Sequence, residues 1–387
     1  MSDIDAVLAA ALEIERKWDK KSRLNLQNAV RTALPRHRAS ACMRHRLGGA
    51  DVRIGVTHSG MTRMGGLMRC DANHICPVCH HRKMAKDKAI IANIVRQHFG
   101  SGGFLIDGVL TVSHQKWEPL STVLARLEAV WESLRSKPIW SKLTKELGII
   151  GGVRRLEVTL GPNGWHPHYH VSFLCDLPVA QEIKGRTYTT AAADVFASVT
   201  DYWATAGEKA GIKVSLHAQA AVALVAAADA AKAIAYNTKN MGYCDKPNSL
   251  TPMDFLRIID QCGHSDAIHA AKRRFTEYAE AIHGKHTLSL FGAARSLKKA
   301  VAEPVAPSEE VEPLGRIAPQ AWSAVIDAGL REEVAQVQTR EELAATIMRA
   351  ASFSGYAATP SGWLTLAPEN KTVIRIKSAP QPSGGGT

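Results

Sequence analysis

Two hydrophobic periods alternate along the chain. Residues 3–33 place Ile4, Val7, Leu8, Leu12, Leu24, Leu26 and Val30 at helical spacing, and Pro35 ends the segment. Residues 104–113 (FLIDGVLTVS) read as a mostly buried strand after the break at Gly100 to Gly103. Leu120, Val123, Leu124, Leu127, Val130 and Leu134 then restore a helical period over 119–136. A strand is expected over 152–160 and a second from Trp165 onward. Beyond them come a helix over 190–209, a strand over 214–222 and an alanine-rich helix over 222–239. Phe255, Leu256, Ile259, Phe275, Tyr278, Ala279 and Ile282 predict helix over 251–285, and 286–291 looks like a short strand. Residues 302–314 are rich in Pro and Glu and read as linker. The 318–352 segment is helical, with Thr339 and Glu342 spaced as a capping box, and a hairpin is expected over 363–376. No internal repeat is present. Strands and helices alternating around a central hairpin predict an α+β fold with a largely antiparallel sheet.

The central hairpin carries the first candidate chemistry. It reads EVTL, then Gly161-Pro162-Asn163-Gly164, then WHPHYHVSFL. Pro162 pre-sets φ, and Asn163 and Gly164 tolerate positive φ, so the four residues are turn chemistry. An even-length loop sets Leu160 against Trp165 and Glu157 opposite His168. Because side chains alternate along a strand, His168, His170 and Glu157 then share one face. Two imidazoles and a carboxylate at one point make a divalent-metal site; the same pattern without Glu157 is an ordinary polar sheet face.

The seven cysteines fall unevenly. Cys175, Cys244 and Cys262 are scattered, as buried or incidental thiols are. Cys76 and Cys79 have the knuckle spacing that lets two thiolates grip a tetrahedral zinc, and Cys70 is close enough to be a third ligand. Candidates for the fourth are Cys42, which makes an all-cysteine set, His74, and one of His80 and His81. A lone Cys-x-x-Cys pair is also the spacing of a redox dithiol, but the third cysteine and nearby histidines favour structural Zn²⁺. Past Cys79 the chain turns helical and basic through Arg82, Lys83, Lys86, Lys88 and Arg96.

Size and charge narrow the classes. The 387 residues suffice for two or three domains. No apolar run approaches the roughly 18 residues a membrane helix needs, and the N-terminus lacks a signal-peptide pattern, so a cytoplasmic location without membrane contact is expected. The net charge of +12 concentrates early: residues 1–102 hold 18 Lys and Arg against 8 Asp and Glu, whereas 301–387 hold 7 against 10. A basic run, Arg31, Arg36, His37, Arg38, Arg44, His45 and Arg46, adds to this. Concentrated positive charge points to a polyanion, most simply nucleic acid.

A last pair lies near the end of the alanine-rich helix, where Tyr236 and Lys239 are three residues apart and share a face. A neighbouring ammonium favours a phenolate and stabilises negative charge on a phosphate. Taken with Cys70, Cys76-Pro77-Val78-Cys79 and the basic helix, the strand ending Leu110-Thr111-Val112, the Leu156-Glu157-Val158-Thr159 strand and Trp165-His166-Pro167-His168-Tyr169-His170-Val171, the order resembles one known family. It resembles the replication initiator proteins of small rolling-circle plasmids, a branch of the HUH endonucleases, over roughly residues 40–295. The resemblance implies an antiparallel-sheet HUH core of the RRM or ferredoxin-like kind, with an N-terminal zinc-knuckle region and a small C-terminal extension. The expected division is a basic helical and zinc-knuckle region over 1–102 and a nicking and joining domain over 103–295. A linker over 296–317, a small C-terminal α+β region over 318–377 and a disordered tail over 378–387 follow.

By that resemblance, Tyr236 attacks a scissile phosphodiester at the plasmid double-strand origin, giving a 5′-phosphotyrosine link and a 3′-OH primer, with Lys239 beside it. His168, His170 and Glu157 would hold Mg²⁺ or Mn²⁺, and Cys42, Cys70, Cys76 and Cys79 would hold Zn²⁺. Arg82, Lys83 and Lys86 would contact DNA. Partners implied are origin DNA in double- and single-stranded form, and host helicase and polymerase. One departure stands out: where related initiators can carry a glutamate one turn before the tyrosine, this chain has Lys232. Asp229 and Tyr243 are the fallback candidates for ending the reaction. The competing readings are a conjugative relaxase or single-strand transposase, and a non-enzymatic zinc DNA-binding protein.

Overall fold

The computed structural model describes residues 2–12, 14–16, 18–176, 188–214, 223–225, 249–299, 310–354 and 364–366. By contact density the chain divides into two units. One comprises Met1–Lys17, Thr32–Leu34 and Asn73–Pro304; the other comprises Trp18–Arg31, Pro35–Ala72 and Val305–Thr387. Among the described residues the strands in chain order are β1 (Val52–Thr57), β2 (Thr62–Gly65), β3 (Phe104–Thr111), β4 (Ile149–Gly161) and β5 (Gly164–Cys175), then β6 (Ala223–Val225), β7 (Leu288–Gly292), β8 (Val311–Ile317) and β9 (Leu364–Leu366). The fold is α+β and both sheets are antiparallel.

The larger unit is built on a five-stranded sheet in the order β6-β3-β5-β4-β7. Helices Leu120–Leu134 and Lys137–Leu147 connect β3 to β4, a tight hairpin joins β4 to β5, and helix Tyr188–Lys209 precedes β6. On one sheet face the even-numbered positions of β4 and odd-numbered positions of β5 meet these helices. Trp131 stands edge-on to Tyr169 at 5.7 Å, Trp140 tilts against Phe173 at 6.3 Å, and the Arg154 guanidinium lies 4.3 Å over Tyr169. Each buried aromatic there contributes about 2–3 kcal/mol by burial alone. The opposite face carries the histidines. Its far end is closed by helix Pro77–Gly100, whose Ile91, Ile94 and Val95 pack with Leu105, Val153, Leu174 and Ala294.

The smaller unit has a four-stranded sheet, β2-β1-β8-β9. Arg331, 1% exposed, organises it. Its guanidinium donates to the carbonyls of Leu24 and Cys42, to Gln27 Oε1 and Asn28 Oδ1, and to Glu332. A buried guanidinium is tolerated only when its donors are matched in this way.

Several elements depart from the sequence expectation. The 3–33 helix is two, Asp3–Ala10 and Lys20–Ala33, the first begun by a Ser2–Asp5 capping box. The 251–285 segment breaks at Cys262 to His264 into Pro252–Gln261 and Ser265–Ala281. Residues 318–352 form three helices, Pro319–Asp327, Arg331–Val334 and Arg340–Phe353. Only half of the expected capping box forms: the Thr339 hydroxyl accepts from Glu342 N, while the Glu342 carboxylate accepts from Gln338 N. Ala223–Val225, expected to open the alanine-rich helix, is a strand that satisfies the edge of β3 at Leu105 to Asp107. Val311–Ile317, part of the expected linker, pairs with β1 instead, because its Val311, Leu314 and Ile317 are apolar enough to bury. The β1–β2 hairpin and helix Lys137–Leu147 were not expected. Of the hairpin over 363–376, only β9 lies among the described residues; the 378–387 tail lies outside them.

Candidate metal centres

The β4–β5 hairpin turns on two residues, with Gly161 paired to Gly164, Leu160 to Trp165 and Glu157 to His168. Gly164 has φ +91°, and a Cβ there would come within 2.5 Å of the Lys116 carbonyl oxygen, so glycine is required on both counts. This register puts Glu157, His168 and His170 on one face, as an even-length loop demands. His170 Nε2 is 2.6 Å and His168 Nε2 3.3 Å from Glu157 Oε2, and the two Nε2 atoms are 3.2 Å apart. Ligands about 2.1 Å from one ion at right angles are themselves about 3 Å apart, so the three atoms are spaced as one edge-sharing set.

The donor types also suit a metal. His168 Nδ1 lies 3.2 Å from the His166 carbonyl oxygen, which can only accept; Nδ1 therefore carries the proton and Nε2 turns a lone pair to the cluster. Burial raises the Glu157 carboxyl, but its contacts with the His168 and His170 imidazoles outweigh it and hold it below the carboxylate range. Burial lowers His170, partly offset by its hydrogen bond to Glu157. A carboxylate oxygen and imidazole nitrogens are the donor types that Mg²⁺, Mn²⁺ or a borderline ion takes. All three side chains keep some exposure, 11–17%, so the site has an open side.

On the same sheet face Arg155 is paired in register with His170, and Thr111 with His168. Arg155 is buried and donates to Met84 Sδ on helix Pro77–Gly100. Sequence reasoning passed over it, although period-two alternation from Glu157 was enough to place it on this face.

The second cluster is all sulfur. Cys42, Cys70, Cys76 and Cys79 are 0–4% exposed, and their Sγ atoms all lie within 4.8 Å of one another. A tetrahedral Zn²⁺ at about 2.3 Å from each sulfur sets them about 3.8 Å apart, so the quartet fits zinc. Cys42 is thus the fourth member rather than His74, His80 or His81; His80 Nδ1 lies instead 2.9 Å from the Asn73 carbonyl. Two observations mark the quartet as a built site. Cys76 is the N-cap and Pro77 the first residue of helix Pro77–Gly100, so two sulfurs sit at a helix N-terminus that favours thiolate. Among the described residues the non-glycine positive φ angles are at Met43 (57°) and Asp71 (50°), each directly after a cysteine of the quartet. Such strain persists only where surrounding contacts fix the backbone.

Of the remaining expected residues, Arg82 and Lys86 are exposed on helix Pro77–Gly100, and Lys83 is ion-paired with Asp87 one turn on. Tyr236, Lys239, Asp229, Lys232 and Tyr243 lie outside the described residues. Cys175 is buried, with its thiol pushed up by burial, and Cys262 is partly exposed; Cys244 lies outside the described residues. Among the described residues no helix is long and apolar enough to cross a membrane.

Among curated proteins, one named Protein rep from Streptomyces lividans is 25% identical over 152 residues, covering 31% of this chain and 32% of that protein. One named Neomycin resistance protein from Streptomyces cyanogenus is 27% identical over 150 residues, covering 32% of this chain and 34% of that protein. The chain therefore matches about a third of the length of each of these relatives. No family model matches the chain, and no solved structure does.

Proposed function

We propose that this chain is a plasmid replication protein of the rolling-circle type, which nicks its double-strand origin and remains joined to the 5′ end. The observation that carries the reading is the Glu157, His168 and His170 set on one sheet face, with donor atoms spaced for one divalent ion. The strand order β6-β3-β5-β4 with helices after β3 and β5 supports an HUH core of ferredoxin-like kind. The name of the Streptomyces lividans relative supports replication as the setting.

In this reading Glu157, His168 and His170 hold Mg²⁺ or Mn²⁺. Such an ion polarises a phosphoryl oxygen and offsets its charge, which a phenol attacking an anionic phosphate needs. Tyr236 is the nucleophile. Its Oη bonds to phosphorus, the bond to O3′ breaks, the phenol proton passes to solvent and the freed O3′ takes up a proton. Lys239 favours the phenolate from one turn away. The link conserves the phosphodiester energy, so the same step reversed rejoins a strand. With Lys232 before Tyr236, Asp229 and Tyr243 are the groups left to end the cycle. The cysteine quartet, holding Zn²⁺, fixes the start of helix Pro77–Gly100, from which Arg82, Lys83 and Lys86 face the DNA backbone. Host helicase then separates the strands and host polymerase extends the 3′-OH.

The test is incubation with supercoiled plasmid bearing the DNA that flanks the coding sequence, with and without Mn²⁺. Metal-dependent relaxation and a protein-linked 5′ end are expected, and Tyr236→Phe loses the adduct while still binding DNA. Binding without any nick leaves a non-enzymatic zinc DNA-binding protein as the answer. An undiminished adduct in Tyr236→Phe moves the nucleophile elsewhere.

A further inference from the structure

Beside the Glu157, His168 and His170 set lies a cavity of about 360 Å³. Its wall is the segment following β3, with His114, Gln115, Lys116 and Trp117, together with Asn163 and His166 of the hairpin. Thr111, paired in register with His168, lines it too and joins it to the histidine face. The two walls are locked together. Gly164 packs against the Lys116 carbonyl, and His114 Nε2 lies 3.2 Å from His166 Nδ1 with ring centroids 5.4 Å apart. His166 is pinned to the metal set as well: its ring is 5.0 Å from that of His168, and its carbonyl holds His168 Nδ1. His114, His166, His168 and His170 thus form one continuous row from the cavity to the triad.

The cavity's rim is unusual for a folded protein. Trp117 is 79% exposed, its large apolar indole left in water. An exposed indole beside a cationic Lys116 and amide side chains is the equipment for a nucleobase: a flat face to stack on, donors and acceptors for its edge, and an ammonium for the adjoining phosphate. Lys116 shares its ammonium with Asp5 at 3.3 Å, with both side chains near half exposed, so the pair is screened and exchangeable.

We propose that this cavity binds one nucleotide of single-stranded DNA next to the scissile phosphate, its base stacked on Trp117 and its edge read by Gln115 and Asn163. The assignment rests on the nicking reading above, for which it supplies the pocket that fixes strand position relative to the triad. Position matters because in-line attack tolerates little displacement of the phosphate.

The experiment measures binding of fluorescein-labelled dT20, rU20 and a 20-base-pair duplex by anisotropy, with the full chain and no added divalent ion. Trp117→Ala, a change at an exposed side chain that leaves the core untouched, should weaken dT20 binding about tenfold and Trp117→Phe should restore most of it, with duplex binding unchanged. A loss below twofold for dT20, or an equal loss for duplex, overturns the subsite. Tighter binding of rU20 than of dT20 overturns the assignment to DNA. The two readings separate cleanly: selective dT20 loss in a protein that never nicks sinks the nicking reading and leaves the subsite. Full nicking with unchanged dT20 binding in Trp117→Ala does the reverse.

Discussion

The two metal-type clusters are built on opposite principles. The cysteine quartet is soft, sealed at 0–4% exposure and complete at four donors, with its backbone held in left-handed turns at Met43 and Asp71. The Glu157, His168 and His170 set is hard to borderline and has three donors on the flat of a sheet, with residual exposure of 11–17%. A closed tetrahedron leaves no position for substrate, whereas a three-donor set does. The quartet is suited to holding helix Pro77–Gly100 in place, and the triad to working on something that arrives from outside. Rigidity also differs in source: the quartet's geometry would come from its ion, while the triad's comes from a hairpin register that forms without one.

That difference sets the size of what each loss should do. Cys76→Ser or Cys79→Ser should give the largest effect. Zinc measured by elemental analysis should fall from one per chain toward none, and Tm by about 10 °C, since structural zinc contributes folding free energy directly. Unchanged zinc content in both variants would remove the quartet from the comparison. His170→Ala should act on function instead. Mn²⁺-dependent nicking should drop by at least about a hundredfold, with Tm within about 3 °C of the parent. Brief dialysis against EDTA should have the same effect, reversed by Mn²⁺ while zinc stays bound. A Tm loss in His170→Ala as large as that in Cys76→Ser would mean the triad is a structural site too, and the contrast would collapse.

How much of this was legible in the sequence follows from the range of the interactions involved. The Gly161 to Gly164 turn is local chemistry, so hairpin register, and with it the meeting of Glu157 and His168, could be counted out from four residues. The quartet was legible as far as Cys70, Cys76 and Cys79; choosing Cys42 over the nearby histidines required the 27 residues between Cys42 and Cys70 to fold back through β1 and β2, a closure that no local signal encodes. Helix breaks at Gly263 and around Gly329 were visible as glycines but were outweighed by the apolar period on either side. Val311–Ile317 looked like linker because Glu312, Pro313 and the preceding Pro- and Glu-rich residues dominate the composition, yet its apolar Val311, Leu314 and Ile317 are buried and it pairs, across a register shift, with a strand about 260 residues earlier. The neighbourhood of His114 and His166 was invisible for the same reason: it exists only where β3 and β5 run side by side.

The smallest effect is expected from pH, and it probes the triad's neutrality without touching the quartet. Burial lowers His170 below the ordinary imidazole value near 6.5, so below about that pH the unfolded chain takes up a proton that the folded chain refuses. Stability must therefore fall as pH drops from 7 to 5. Glu157, held below its ordinary value, has the same sign but a lower window, contributing stability that is fully present above about pH 4.3 and lost as the carboxylate finally protonates. In metal-free buffer without a chelator strong enough to strip zinc, the difference in Tm between pH 7 and pH 5 should shrink in His170→Asn, which has no proton to refuse. The parent and variant should converge in slope above pH 7, where neither state titrates at this position. An identical pH 7 to 5 difference in the two proteins would mean that His170 is charged in the folded state. The triad would then be a proton-holding pair with Glu157, not a set of donors waiting for an ion.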